Sequence, residues 1–177
     1  MQIEIGTVSA VDVPAISALA RLIWQDAYLG IIPQKQIDFM LEQRYNASCL
    51  LEELASSSIW WDRITVDGQL AGFASSLLTA IPREIKLDKL YVHPARQRLG
   101  LGGRLISQVL ERASANGCET LILAVNKRNE RAIAAYSKHG FTVREAVCVD
   151  IGRGFVMDDF IMAKSLISPN IPPNANA

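Results

Sequence analysis

The sequence predicts an α/β fold in which a mixed, mostly antiparallel sheet of six to seven strands carries helices on both faces. Residues 61–66 and 70–78 alternate like strands and are joined by Asp67-Gly68, a favoured hairpin turn. Residues 85–125 contain an apolar strand, an amphipathic helix and a second apolar strand, which predicts a parallel crossover. The turn at residues 152–154 joins two further strand-like segments, which extend the sheet.

The N-terminal third of the chain is predicted to be one strand followed by helices. Residues 3–8 alternate like a strand, and Asp12 then caps a segment whose apolar residues recur at helical spacing over residues 16–23. A second helix is expected after Pro33, and a short third one around residues 50–54. These helices are expected to cover one edge of the sheet.

The second half of the chain alternates between helices and strands. The helix after the crossover loop is expected to end near Asn116-Gly117, and the next helix at Gly140. The strands and helices expected here are a helix at residues 105–113, a strand at 121–125, a helix at 131–138 and strands at 141–149 and 155–162.

Composition excludes several kinds of partner. Half of the 177 residues are hydrophobic and the 18 basic residues balance the 18 acidic ones, so no overall field attracts nucleic acid or an anionic membrane. No segment approaches the roughly 20 apolar residues that span a bilayer, and the first residues do not resemble a secretory leader. A cytoplasmic protein is expected, with the cysteines as reduced thiols and residues 168–177 as a disordered tail.

A glycine-spaced loop at residues 92–103 has the features of an anion site. Gly100 and Gly102 let the backbone approach a ligand, and the following helix leaves its first N–H groups unpaired. Arg96 and Arg98 add positive charge. Such glycines also serve as plain turn residues, so this loop alone leaves both interpretations open.

Two motifs together resemble the GCN5-related N-acetyltransferase (GNAT) superfamily. Residues 90–94, followed by Gln97-Arg98-Leu99-Gly100-Leu101-Gly102, resemble the superfamily's motif A. Residues 129–141, with Asn129, Tyr136 and Lys138-x-Gly140-Phe141, resemble its motif B. The resemblance implies an acetyltransferase domain over residues 1–167, with acetyl-coenzyme A between two parallel strands that splay apart.

The resemblance also implies which residues hold acetyl-coenzyme A. The loop amides would bind the pyrophosphate and the strand before the loop would bind the pantetheine arm. Asn126 and Asn129 also match arm-contacting positions, but a role as a strand-end turn residue is favoured for Asn126, and Asn129 can cap a helix as well as contact the arm. The expected binding residues are Leu90, Tyr91, Val92, Gln97, Arg98, Leu99, Gly100, Leu101, Gly102, Gly103, Asn126, Asn129 and Ala132.

The resemblance implies that Tyr136 protonates the leaving thiolate, against the alternative of a core tyrosine. The acceptor amine must lose a proton before it attacks, but Lys86 stands where several histone-modifying relatives have a glutamate. Strand alternation predicts that Glu84 and Asp88 share a face with Lys86 and Val92, so either carboxylate could serve as the base. Asp88 is preferred, and the alternative is that both are solvated edge residues.

The histidines and cysteines do not indicate a metal or nucleophilic site. His93 precedes a proline at a strand end, and His139 lies in the last turn of a helix. Neither has a partner at a suitable spacing, and no cluster has metal-ligand spacing. No metal is therefore expected.

The acceptor-binding segments resemble a bacterial branch that includes spermidine/spermine acetyltransferases of the PaiA type. The similar segments are residues 28–33, 36–41 and 150–160. A polyamine needs carboxylate partners, and alternation lets one residue of the pair Asp158-Asp159 face the cleft. The other candidates for the acceptor site are the acidic Asp38 and Glu42 and the aromatic Trp24, Tyr28 and Trp61.

The predicted reaction is direct attack of a primary amine, a small polyamine-like one being favoured, on acetyl-coenzyme A in a ternary complex. A peptide N-terminus as acceptor, or a noncatalytic acyl-coenzyme A sensor, are the alternatives. A homodimer is left open.

Overall fold

The computed structural model describes residues 1–167, and the predicted tail at residues 168–177 lies outside them. The N-terminal elements are β1 (Ile3–Thr7), α1 (Val13–Tyr28), α2 (Gln34–Tyr45) and α3 (Ala47–Ala55). The central elements are β2 (Ile59–Val66), β3 (Gln69–Leu78), β4 (Glu84–Val92), α4 (Leu101–Ala115) and β5 (Thr120–Asn126). The C-terminal elements are α5 (Glu130–Lys138), β6 (Thr142–Gly152) and β7 (Phe155–Ser165).

The seven strands form one mixed sheet in the order β1-β2-β3-β4-β5-β7-β6. Every neighbouring pair is antiparallel except β4 and β5, which are parallel and are connected through α4. The predicted fold class is therefore confirmed. The hairpin turn is also as expected, because Asp67 and Gly68 have φ angles of 50° and 78°, which suit a tight turn between twisted strands.

The parallel pair separates halfway along its length. Pairing of β4 with β5 runs from Glu84 beside Thr120 to Leu87 beside Leu123, whereas β4 continues to Val92. Beyond that point β4 stays paired with β3, and β5 stays paired with β7. A wedge-shaped gap therefore opens in the middle of the sheet, as the resemblance to the superfamily implied.

Two hydrophobic cores lie on opposite faces of the sheet. The first packs α4 and part of α5 against the sheet and includes Leu105, Val109 and Leu121. The second packs α1, α2 and α3 and includes Trp24 and Phe73. None of the helices within residues 1–167 is both long and apolar enough to cross a membrane.

A β-bulge at Asp88 changes which face of β4 each residue occupies. Ser75 of β3 pairs with Lys89 and Ser76 pairs with Leu87, so Asp88 is the extra residue. Leu87 packs in the first core, as do the partly buried Leu90 and Val92 beyond the bulge. The prediction that Glu84 and Asp88 share a face with Val92 is therefore wrong, because the bulge shifts the alternation by one residue.

Candidate active site

A cleft of about 540 Å³ occupies the gap between β4 and β5. Its walls are the β4 segment Leu90, Tyr91 and Val92, the end of β5, the C-terminal end of α1 and one side of α5. Within residues 1–167, no strand pairs with the cleft-facing backbone edge of that β4 segment. The Val92 carbonyl accepts a side-chain hydrogen bond from Gln97 Nε2 at 3.4 Å. An extended ligand with polar groups fits such an edge.

The N-terminus of α4 opens beside this cleft. Gly100 precedes the helix with a left-handed φ of 73°, and no side chain of residues 1–167 caps the helix. The first amides of α4 therefore lack helical partners and suit an anion. Gly102 lines the cleft, and a Cβ there would meet only Val92 Cγ2, at 4.0 Å.

The other predicted loop residues contribute differently. Leu101 is buried in the first core and offers backbone groups only, whereas the side chains of Arg98 and Leu99 are exposed. A Cβ on Gly103 would lie 3.1 Å from His139 Cε1, so its missing side chain allows α4 to approach the end of α5. The structure thus gives Gly103 a packing role.

The two predicted asparagines both complete local backbone structure. Asn126 Oδ1 accepts from the Arg128 amide at 3.0 Å, and Asn129 Oδ1 accepts from the Ala132 amide at 3.2 Å at the start of α5. Asn129 and Ala132 also line the cleft, whereas Asn126 does not. The turn and cap interpretations thus describe both asparagines in this structure.

Tyr136 projects from α5 into the cleft. Its ring packs edge-on against Phe141, with the ring centroids 5.9 Å apart. Burial, with a smaller contribution from the neighbouring Tyr28, raises the pKa of the Tyr136 phenol, so the group remains protonated at neutral pH. Tyr136 therefore presents a proton donor to the cleft.

The two carboxylates predicted as bases are both engaged with cations. Asp88 lines the cleft and accepts from Arg44 at 2.5 Å and from Lys89 at 2.9 Å, with Lys86 also at 2.9 Å. Burial opposes ionisation of Asp88, but these three cations outweigh it and hold its pKa well below the usual range. A carboxylate with so low a pKa is a weak base.

Glu84 lies at the beginning of β4, where the strands are still paired, and it does not line the cleft. It accepts from Arg144 at 2.7 Å and from Thr79 at 2.9 Å. The structure therefore does not bring Glu84 together with Tyr136 and Asp88.

Lys89 was not predicted, and it forms the buried support of Asp88. Its side chain is only 1% exposed, and its Nζ donates to both Glu53 oxygens at 3.0 and 2.9 Å. It also lies over the Trp61 ring, 4.9 Å from the centroid. In the sequence, the adjacent charges of Asp88 and Lys89 within an otherwise apolar strand could have indicated a buried ion pair. The bulge that buries Lys89 beside Asp88, however, depends on the pairing of β4 with β3.

The acceptor-site candidates are separated by the structure. Asp38 and Glu42 lie on the exposed side of α2, and Asp158 points outward to pair with Lys127. Asp159 is the buried member of its pair. Of the aromatic candidates, Trp24 and Trp61 are buried in the second core. Tyr28 lines the cleft, and its ring stacks on that of Trp24 with the ring centroids 4.4 Å apart.

Arg128, another residue that was not predicted, fixes the connection between α1 and α2. Its guanidinium donates to the carbonyl oxygens of Ile31 at 2.5 Å and Gly30 at 2.9 Å. Arg128 and Ile31 both line the cleft. The bidentate contact therefore holds the α1–α2 connection against the end of β5.

We expect Arg128→Lys to loosen this connection, because a single ammonium group cannot reproduce the bidentate contact. The amides of Ile31 and Ile32, both bonded to the Tyr28 carbonyl, should exchange with solvent on the order of tenfold faster. Hydrogen exchange followed by mass spectrometry measures this, with Arg131→Lys as the control on the same cleft. Equal exchange in all three proteins would contradict the role assigned to Arg128.

The split parallel pair, the open helix N-terminus and the protonated tyrosine match the arrangement that the resemblance implies for an acyl-coenzyme A-dependent transferase. The sequence model of the acetyltransferase (GNAT) family matches residues 17–141, and the chain belongs to this family. It is an N-acetyltransferase that acts with acetyl-coenzyme A. The family, the enzyme class and the cofactor predicted from the two motifs are thereby confirmed.

Two kinds of relative match nearly the whole chain. A spermidine N(1)-acetyltransferase of Thermoplasma acidophilum is 26% identical over 162 residues, which cover 89% of this chain and 97% of the relative. The crystal structure of PaiA N-acetyltransferase from the same organism, in complex with coenzyme A, superimposes with a TM-score of 0.81 at 27% identity, covering 93% of this chain and 99% of that chain. The ribosomal-protein-S18-alanine N-acetyltransferase of Escherichia coli shares the fold, with a TM-score of 0.68 at 23% identity and coverage of 97% and 99%.

Proposed function

We propose that the enzyme transfers the acetyl group of acetyl-coenzyme A to a primary amine of a small, polyamine-like acceptor by direct attack in a ternary complex. The observation that carries this substrate class is the nearly full-length likeness to the spermidine N(1)-acetyltransferase. The cleft supports it, because one continuous space joins the α4 N-terminus to the α1–α2 connection and can hold both substrates together.

The α4 end of the cleft is proposed to hold coenzyme A. The unpaired amides from Gly100 to Gly103 suit the pyrophosphate, and the free edge of β4 suits the amide groups of the pantetheine arm. Bound acetyl-coenzyme A supplies a thioester carbonyl that an uncharged amine can attack. The protein positions that carbonyl and controls two proton transfers.

Tyr136 is proposed to supply the proton at the leaving sulfur. Its phenol lines the cleft and its raised pKa keeps the proton available at neutral pH. The ring packs edge-on against Phe141, which supports it at the wall of the cleft. Asp88 is held ionised by three cations, and we propose that it holds Arg44 and Lys86 in place instead of accepting a proton.

The closed α1–α2 connection favours a small acceptor over a peptide. Arg128 holds Gly30 and Ile31 against the end of β5, and an extended peptide would need this region open. A compact amine reaches the thioester without displacing the connection.

An amine panel tests the proposed function directly. Purified protein is incubated with acetyl-coenzyme A and one acceptor at a time: spermidine, spermine, putrescine, simple monoamines or short peptides. The release of free thiol is followed, and the acetylated products are identified by mass spectrometry. Acetylated polyamine as the dominant product is the expected result. Preference for peptide N-termini would overturn the substrate class, and coenzyme A binding without any turnover would support the sensor alternative.

A further inference from the structure

Asp159 lies on the sheet face toward which the cleft opens. It pairs with Asn126 of β5, and directly opposed residues of antiparallel strands point to the same face. Ala124, two residues before Asn126 and therefore on the same face, is exposed and lines the cleft. Asp159 is thus one step along the strand from the cleft wall.

The carboxylate of Asp159 is buried without the usual partner. The residue is 9% exposed, and within residues 1–167 its Oδ1 has no hydrogen-bond partner. The other buried carboxylates of this part of the chain are paired with arginines: Asp62 accepts from Arg112 at 2.6 and 2.8 Å, and Glu84 accepts from Arg144. A buried, unpaired carboxylate oxygen requires an explanation, and a cationic ligand provides one.

The cations near Asp159 are each paired with another carboxylate. The charged and titratable groups around Asp159 are Lys86 of β4, Arg44 of α2, Lys127 just after β5 and Tyr28 of α1, together with the adjacent Asp158. Lys86 and Arg44 are bonded to Asp88, and Lys127 to Asp158. Burial, with a smaller contribution from Asp158, raises the pKa of Asp159, which makes it a stronger base than Asp88.

We propose that Asp159 is a catalytic residue that binds the acceptor's ammonium group and removes the proton that blocks its lone pair. This inference rests on the proposed function, since it requires an amine acceptor in the cleft. One N–H bond breaks and its proton joins the Asp159 carboxylate, after which the nitrogen lone pair forms the bond to the acetyl carbon. The carbon–sulfur bond breaks, the sulfur takes the Tyr136 proton, and the nitrogen's second proton restores the phenol. Asp159 then releases its proton to solvent.

The test compares Asp159→Asn with Asp158→Asn, its exposed neighbour, using the amine that the wild-type protein acetylates fastest. We expect Asp159→Asn to lower kcat/KM for the amine about 10²-fold, as loss of a general base does. Asp158→Asn should change it less than about fivefold, because an exposed ion pair contributes little. Coenzyme A affinity, measured by calorimetry, should be unchanged in both variants.

A pH profile and the thermal midpoint separate catalysis from structure. The wild-type rate should fall as pH drops through the pKa of Asp159, and Asp159→Asn should lose this acid limb while its Tm stays equal or rises, since a costly buried charge is removed. Equal losses in both variants, an unchanged acid limb, or lost coenzyme A affinity would overturn the role of Asp159 alone. A wild-type protein that acetylates no amine would overturn the proposed function and this inference with it.

Discussion

Tyr136→Phe is expected to lower kcat about 10³-fold, because the change removes only the proton that the phenol would give to the leaving sulfur. The ring that packs against Phe141 stays, so α5 and the cleft keep their shape. Coenzyme A affinity should therefore equal that of the wild type. Thiol release under saturating substrates measures kcat, and calorimetry measures the affinity.

Tyr45→Phe is the matched control for this experiment. The Tyr45 hydroxyl is buried in the second core and has no hydrogen-bond partner within residues 1–167, so its removal should leave kcat unchanged. A single-turnover measurement excludes slow product release as the limiting step. Full activity of Tyr136→Phe in that measurement would contradict the proposed acid, and a parallel loss of coenzyme A affinity would assign Tyr136 to binding instead.

The parts of the fold that local sequence determines were predictable. The Asp67-Gly68 pair favours a tight hairpin turn, and both residues have the positive φ angles that such turns need. The amphipathic pattern after the glycine loop became α4, whose apolar face packs on the sheet. Since β4, α4 and β5 follow one another in the chain, the parallel crossover followed from the order of elements, whereas the cleft between its splayed strands was implied by the resemblance to the superfamily.

The parts that depend on pairing between distant segments were not predictable. The bulge at Asp88 exists because β3 skips one β4 residue, and this buries Lys89 beside Glu53 of α3. Strand alternation from sequence assumes that no residue is skipped, so it assigned Val92, beyond the bulge, to the same face as Asp88. Arg128 likewise gained its role from the carbonyls of residues 30 and 31, about a hundred positions earlier.

Which of Asp158 and Asp159 is buried on the cleft side of the sheet was predictable only in part. Adjacent strand residues must point to opposite faces, so the sequence established that only one could face the cleft. The register of β7 against β5 decided which one, since it sets Asp159 beside Asn126. A carboxylate that is buried but unpaired is visible only once all neighbouring cations have been located.

Gly102→Val is expected to raise the dissociation constant of coenzyme A about 10²-fold, the loss that follows when one or two hydrogen bonds to a charged group are blocked. The added side chain would stand at the α4 N-terminus, where the proposed pyrophosphate must contact the backbone. It should not disturb folding, because a Cβ there meets only Val92 at 4.0 Å and Gly102 has no left-handed φ. Calorimetric titration with coenzyme A measures the loss.

The design of this experiment separates blocked binding from misfolding. Gly6→Val adds the same side chain in β1, at the far edge of the sheet, where a Cβ meets no atom of residues 1–167 within 4 Å. Both variants should unfold near the wild-type Tm, and only Gly102→Val should lose coenzyme A affinity, with Gly102→Ala intermediate because its side chain is smaller. Undiminished affinity in a folded Gly102→Val protein would show that the pyrophosphate lies elsewhere. The glycines of this loop would then serve only to form the turn that leads into α4.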